Sequence, residues 1–450
     1  MSVQAAGVAV APSAGADEQD VNPHYLDHVV ASAAEHELEA SEDIVSGSGV
    51  KLLAKGARIG AGMRERLLQH KLAKPLESCL ATRDGVTPQA LQAQAEALLE
   101  QHEMLRALCS REQGEPLPQV LGRLQLAPPV QALLTVYADQ QGGRMGHAVG
   151  VTLLALALAR RLLPGAAASQ QELVLAGLLH DVGELYIDPA CLDRETVLQP
   201  EQWRHIVSHP VIGHRVLAKL QGAGPMVAEL VLNHHERLDG FGYPRGIADE
   251  QFALQAQLLA AAEWLMGLIE AGAGPLARAT VAAKLMPGEF NAALLDLVYA
   301  AARGTKEMVQ WLEAQQPLQQ QAPQVRSIVA TLQRFRALQA WAQAQLDRAG
   351  PELRSLLQKC LGRLQRIQAS FSSAGLDAAE PERVLAELAA QQDPLLHQEV
   401  QALIGEFGWR MRELERECLL RASLLSQADR AVMLALMDRL SGVAAGAPAS

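Results

Sequence analysis

Seven of the chain's 13 histidines, at 147, 180, 205, 209, 214, 234 and 235, fall in a stretch where nearly every segment repeats its apolar residues at helical spacing. The stripes run from Val151 to Leu162, Leu173 to Leu179, Val227 to Leu232 and Leu254 to Leu268. This region therefore reads as a helical bundle that carries most of the chain's histidines. Composition points the same way. Only 4% of residues are aromatic while Ala, Leu and Gln dominate, which favours helices and nearly excludes an all-β fold. With 450 residues, 49% apolar and 20% charged, the chain is long enough for about three domains and can bury a core along most of its length.

The expected class is therefore mainly α, in four parts. Residues 1–22, rich in Ala, Gly, Pro and Ser without periodicity, read as a disordered tail. Residues 23–128 read as a small α+β regulatory module. There Asp43-Ile44-Val45, a Gly47-Ser48-Gly49 turn and Val50 to Ala54 make a hairpin, followed by helical spacing at Met63, Leu67, Leu68 and Leu72 and a helical stretch from Gln89 to Cys109. Residues 129–318 form the histidine-bearing bundle. After a Gln/Pro linker at 315–324, residues 325–442 read as a second helical bundle, its first two amphipathic helices parted at Gly350-Pro351. Its plain role is regulation or self-association, giving a homodimer through these helices.

Charge excludes one large class of partner. The net charge is −11, but residues 1–50 hold nine acids and no Lys or Arg, so the remaining 400 residues sum to about −2. No basic footprint exists for a nucleic-acid backbone, and neither DNA nor RNA is an expected partner. Five scattered cysteines without CxxC spacing read as reduced thiols and point to the cytoplasm. The longest apolar run, Val149 to Ala159, is too short to span a bilayer, and residues 1–16 lack the basic start of a signal peptide, so no membrane partner is expected.

Four separated sites carry the chemistry: His147 near a helix start, His180-Asp181 ending an apolar helix, His209-Pro210, and His234-His235-Glu236 followed by Asp239-Gly240-Phe241-Gly242-Tyr243-Pro244. His with Asp and no Cys suits borderline or hard divalent metals such as Mn, Fe, Zn or Ni. Adjacent donors at 180/181 and 234/235 point different ways from one turn, which suits two neighbouring ions better than one. An Asp at a helix C-terminus opposes the dipole, which favours a ligand role for Asp181. Lone His205 and His214 read as surface or satisfied rings and are left out. Taken alone, the Gly240 to Pro244 segment is only a tight loop.

Together these residues resemble the HD-GYP family, the branch of HD-domain phosphohydrolases that hydrolyses cyclic di-GMP. The resemblance runs from His147 to Ala301 and keeps the family's order: a first His, the His-Asp pair, His-Pro-x-x-Gly at 209–213 and His-His-Glu-x-x-Asp-Gly-x-Gly-Tyr-Pro at 234–244. Gly288-Glu289-Phe290-Asn291 resembles the family's late helix start. The resemblance implies one metal on His147, His180, Asp181 and Glu263, which stands at the family's final Asp position. A second metal takes His209, His234 and His235, with Asp181 as the bridge. A hydroxide held between two ions, Fe or Mn for preference and Zn or Ni otherwise, would attack the phosphodiester in line. Asp181, Glu184 and Asp239 are the expected catalytic-site residues. Asp239 and the loop Gly240–Pro244 would shape the pocket wall and offer a surface to a signalling-protein partner.

Three departures stand against full family behaviour. Glu263 replaces Asp and has a longer reach. Glu184 stands where the family has a phosphate-contacting Lys, and there it either repels a bound phosphodiester or pairs with a cation such as Arg194. Gly267 to Gly272 replaces an Arg-rich stretch. Gly143, four residues before His147, leaves no Glu for a third metal, so two ions are the expected maximum. The leading expectation is a cyclic di-GMP or related cyclic dinucleotide phosphodiesterase in second-messenger signalling. Its rivals are a catalytically weak or inactive HD-GYP-like binding module and, less supported, a general nucleotide phosphohydrolase.

Overall fold

The structure, a computed structural model, describes residues 20–110, 114–140, 144–192, 200–248, 251–272, 274–285, 288–303, 305, 322–373, 386–387, 390 and 394–441. The expected tail at 1–22, apart from its last three residues, lies outside that set, as do Gly143, Arg194 and most of the Gln/Pro linker. In chain order the helices are α1 (Pro23–Glu35), α2 (Arg64–Leu68), α3 (Pro88–Gln101), α4 (Glu103–Cys109), α5 (Leu117–Gly122), α6 (Pro128–Ala138), α7 (Arg144–Leu162), α8 (Ala167–Leu179), α9 (Pro200–Ile206), α10 (His209–Lys219), α11 (Pro225–Leu232), α12 (Leu254–Glu270), α13 (Pro275–Leu285), α14 (Ala292–Ala302), α15 (Ala322–Arg348), α16 (Pro351–Ser373), α17 (Pro394–Ala422) and α18 (Gln427–Ser441). The chain is mainly α. Several starts are written in the sequence. Asn22 accepts the Tyr25 N–H, Thr87 that of Ala90 and Asn291 that of Ala293, the first two ahead of a proline in the first turn.

Among the described residues, strands are confined to the N-terminal part. The expected hairpin forms from β2 (Ile44–Val45) and β3 (Lys51–Leu53). A second antiparallel pair joins β1 (Leu38–Ala40) to β4 (Leu80–Thr82), with Glu39 opposite Ala81. Sequence pattern misses this pair because Leu38-Glu39-Ala40 is made of good helix formers and its partner lies some forty residues on, so tertiary pairing overrides local preference.

The described chain divides into two compact units that do not follow the expected boundaries. The first holds residues up to Arg237 together with Gly242–Glu270. No break occurs near residue 128, because α3, α4 and α5 pack on α7 and α6 packs on β4, so the α+β part shares the core of the histidine bundle. Helix α7 has the length and apolar character to cross a membrane, yet two-thirds of it is buried, and Ala148 to Ala159 packs against α8 and α12 as a core helix. The second unit holds Leu238–Phe241 and the described residues from Ala271 onward. Helix α13, expected to belong to the histidine bundle, packs on α17 and α14 inside it. Two apolar clusters form its core, one around Val281, Ile328, Phe371 and Phe407 and one around Leu357, Cys360, Cys418, Met433 and Phe241.

Candidate metal centre

Most candidate ligands sit at or near helix ends, while Glu263 projects from the middle of α12. His180 caps the C-terminus of α8, His209 opens α10, and His234-His235 follow α11. Three of these rings use the same device. The Nδ1–H of His180 donates to the Gly177 carbonyl at 2.8 Å, that of His209 to Ile206 at 2.7 Å and that of His234 to Val231 at 2.6 Å. Each bond runs three residues back along the chain and leaves Nε2 as the free, inward-facing donor atom, the arrangement metal-ligating histidines adopt. His209 Nε2 and His234 Nε2 face each other at 3.1 Å, and both rings are buried.

The seven side chains named from sequence as ligands come together in two groups, Asp181 with His209, His234 and His235, and His147 with His180 and Glu263. Within each group the donor atoms lie within 4.8 Å of one another. Asp181 stands between the groups. Its Oδ2 is 3.1 Å from His180 Nε2 and 3.9 Å from His147 Nε2, while its Oδ1 is 3.3 Å from His209 and 3.5 Å from His234. Glu263 Oε2 reaches His147 at 2.9 Å and His180 at 3.3 Å, so the longer side chain does enter the cluster from α12. These residues could hold a metal ion, and the buried Nε2 of His180, which faces two carboxylates without a well-aligned hydrogen bond to either, suits a ligand role.

The histidines and carboxylates of the cluster shift one another's pKa values. Burial disfavours the charged form of His180, yet the Asp181 and Glu263 carboxylates win and raise it to about 10. His147 is likewise raised against burial by Glu263, Glu270 and Asp181. Both carboxylates are held well below their usual range, again against burial, by the facing histidines. Burial pushes His234 down to about 4 and His235 well below its usual value.

Close approaches explain the glycines of the motifs. A Cβ at Gly183 would overlap the His209 carbonyl, so the turn after Asp181 lies against the start of α10 only because that residue is Gly. A Cβ at Gly242 would collide with the backbone of Glu236 and Arg237. Tyr243 then stacks on the His235 ring at 4.6 Å, with Trp203 edge-on to Tyr243 at 5.6 Å. The buried Glu236 carboxylate accepts the backbone N–H groups of Arg245, Gly246 and Ile247 at 2.7, 3.0 and 3.2 Å, which fixes the loop's return.

Two expected catalytic-site residues, Asp239 and Glu184, have cationic partners of their own. The Asp239 carboxylate, 2% exposed, pairs with Arg363 at 3.0 Å and Arg366 at 2.7 Å and accepts the Phe241 N–H at 3.0 Å, all inside the second unit. Burial would raise Asp239, but Arg363 holds it below its usual value. Glu184, in the 3₁₀ turn Val182–Tyr186, does not stand as a bare charge either, because it pairs with Arg144 at the start of α7. Gly240, Phe241, Gly242 and Pro244 are buried in the chain itself, so the loop is not the open partner surface that sequence suggested. Phe241 lies between the guanidinium groups of Arg363 and Arg421, at 4.0 and 4.2 Å from its ring centroid.

Several working residues escaped the sequence reading. Glu270, at the end of α12, accepts from His147 Nδ1 at 2.8 Å and so orients that ring through a carboxylate. Tyr137, buried on α6, feels the charges of Asp181 and Glu263 and hydrogen-bonds the Arg144 side chain. Spacing gives no signal for either. Glu236 had one: a Glu followed by a Gly-rich turn can gather that turn's N–H groups.

The fold places this ligand set in a helical bundle, and residues 131–291 match the family model of the HD domain. Over those residues the chain matches an HD domain, and the motifs there resemble the HD-GYP pattern. Among characterised proteins it is similar to a cyclic di-GMP phosphodiesterase of Pseudomonas aeruginosa, 39% identical over 25% of this chain and 27% of the relative. It is also similar to a 3′3′-cGAMP-specific phosphodiesterase of Vibrio cholerae, 35% identical over 20% of this chain and 19% of the relative. A cyclic di-GMP phosphodiesterase of Thermotoga maritima is 35% identical over 20% of this chain and 25% of the relative. The matches thus span about a quarter or less of these relatives' own lengths.

Proposed function

We propose that this chain is a metal-dependent phosphodiesterase that opens cyclic di-GMP or a related cyclic dinucleotide. The observation that carries the reading is Asp181, one carboxylate whose two oxygens address two separate groups of buried donors. His147, His180 and Glu263 would hold one divalent ion and His209, His234 and His235 the other, with Asp181 shared. When bound, such ions lower the pKa of water and polarise a phosphodiester. The protein's own part is orientation and charge. The Nδ1 bonds of His180, His209 and His234 fix their rings, Glu270 fixes His147, and Tyr243 covers His235.

Arg144 supplies what the missing Lys would have given. It sits one helical turn before His147, its partner Glu184 sits one 3₁₀ turn after Asp181, and Tyr137 links it to the carboxylate side of the cluster. A guanidinium has five donors in a fixed fork, so Glu184 and Tyr137 can hold Arg144 in place and leave donors for a substrate phosphate. Glu184 is then an anchor, and its negative charge is already matched.

The test is direct. Full-length protein reconstituted with Mn or Fe is incubated with cyclic di-GMP and with 3′3′-cGAMP, and linear dinucleotide and mononucleotide are measured against an Asp181→Ala control. Metal-dependent product formation lost in the control supports the reading. Protein loaded with metal that cleaves neither compound overturns it in favour of a binding module.

A further inference from the structure

Cys360 on α16 and Cys418 on α17 place their Sγ atoms 2.6 Å apart, and both residues are fully buried in one apolar cluster. That cluster also contains Phe241. Three residues beyond each cysteine on its own helix comes an arginine, Arg363 after Cys360 and Arg421 after Cys418, and these are the two guanidiniums that sandwich the Phe241 ring. Arg421 also donates to the Phe241 carbonyl, and Arg363 pairs with Asp239. The thiol pair and the clamp on residues 239–241 are therefore built on the same turn of the same two helices.

We propose that Cys360 and Cys418 form a reversible intrachain disulfide that staples α16 to α17 and tightens their hold on Asp239–Phe241. Two thiols need only a small approach to reach the bonded distance of about 2.05 Å. With a peroxide as oxidant the step balances: the two S–H bonds break, one S–S bond forms, and the two hydrogens and two electrons reduce hydrogen peroxide to two waters. A dithiol reductant reverses it by exchange, becoming a disulfide itself. Burial raises the Cys418 thiol well above its usual value, and the thiolate is the reacting form, so both directions are slow. Cys79, Cys109 and Cys191 are also buried.

The experiment uses the full chain. Protein is exposed to hydrogen peroxide or left in reductant, then unfolded in an alkylating reagent and mapped by mass spectrometry under non-reducing conditions. The expected product joins the Cys360 and Cys418 peptides and is lighter by two hydrogen atoms, with the other three cysteines alkylated. Closing a loop of this length should raise Tm by several degrees, about 5 °C or more, and the rise should be absent from Cys360→Ser and Cys418→Ser. Hydrogen exchange of the 238–242 backbone should slow in the oxidised form. Full alkylation of all five cysteines after prolonged oxidation overturns the disulfide. A disulfide that leaves exchange at 238–242 unchanged overturns the coupling to the clamp.

Discussion

Replacing Asp239 by Asn separates a structural carboxylate from a catalytic one. Asn keeps the shape and can still accept the Phe241 N–H, so the change removes charge and leaves no cavity. Asp239 faces two guanidiniums at 3.0 and 2.7 Å, and it and Arg363 are nearly excluded from water, at 2% and 6% exposure. At an effective dielectric near 20, unit charges about 4 Å apart attract by about 4 kcal/mol. Not all of that is lost, because Arg363 keeps Glu289 at 3.2 Å and Arg366, 31% exposed, can be hydrated. The expected net cost is about 3 kcal/mol, in the range for removing one partner of a buried pair. Urea unfolding followed by tryptophan fluorescence reads it, since Trp409 and Trp341 both lie against arginines of the same unit. Arg363→Met combined with Asp239→Asn should cost less than the sum of the single changes. Metal content and kcat of the folded variant should stay near wild type. A variant within about 0.5 kcal/mol of wild type that has lost turnover a hundredfold would refute this account and return Asp239 to the reaction.

Other outcomes follow from the cluster and its surroundings. Asp181→Ala should lower metal content at both sites, as elemental analysis after reconstitution would show; full retention would remove Asp181 as the shared ligand. Glu263→Ala should empty the His147 site alone, whereas Glu263→Asp should keep it occupied if the helix can close the shorter reach. Glu184→Lys should weaken cyclic dinucleotide capture and raise KM, because two cations would then crowd each other where Arg144 is now held; a lower KM would show that Glu184 faces substrate directly. Glu77 is buried, and its pKa is raised chiefly by that burial, only partly offset by hydrogen bonds including one from Tyr186. Its folded form binds its proton more tightly than its unfolded form, so stability falls as pH rises from about 4.5 through the raised pKa. Glu77→Gln should therefore raise Tm at pH 7–8 and change little at pH 4.

What could be read in the chain was what local chemistry repeats. The stripes of α7, α8, α11 and α12 and the order His147, His180-Asp181, His209, His234-His235 were legible because helical period and motif spacing are properties of neighbours in sequence. Glu263 was legible through its helix. The β1–β4 pair, the Tyr137 and Glu270 contacts and the partners of Glu184 and Asp239 depend on residues brought from far along the chain. Arg144 lies 40 residues before Glu184 and Arg363 lies 124 after Asp239. A carboxylate inside a ligand motif looks catalytic until the guanidinium that neutralises it is seen.

The assignment of Leu238–Phe241 to one compact unit while both its flanks belong to the other has a consequence for anyone who cuts the gene. The polypeptide passes between the units three times, so no single scission frees one from the other. A fragment ending at Glu270 keeps all seven donor residues, yet it loses Arg363, Arg366 and Arg421 together. What remains is an unpaired carboxylate at 239 and an uncovered aromatic ring at 241, the makings of a sticky surface in the middle of the longest motif. Aggregation or inactivity of such a fragment would report on that wound and carry no information about the chemistry of the intact chain.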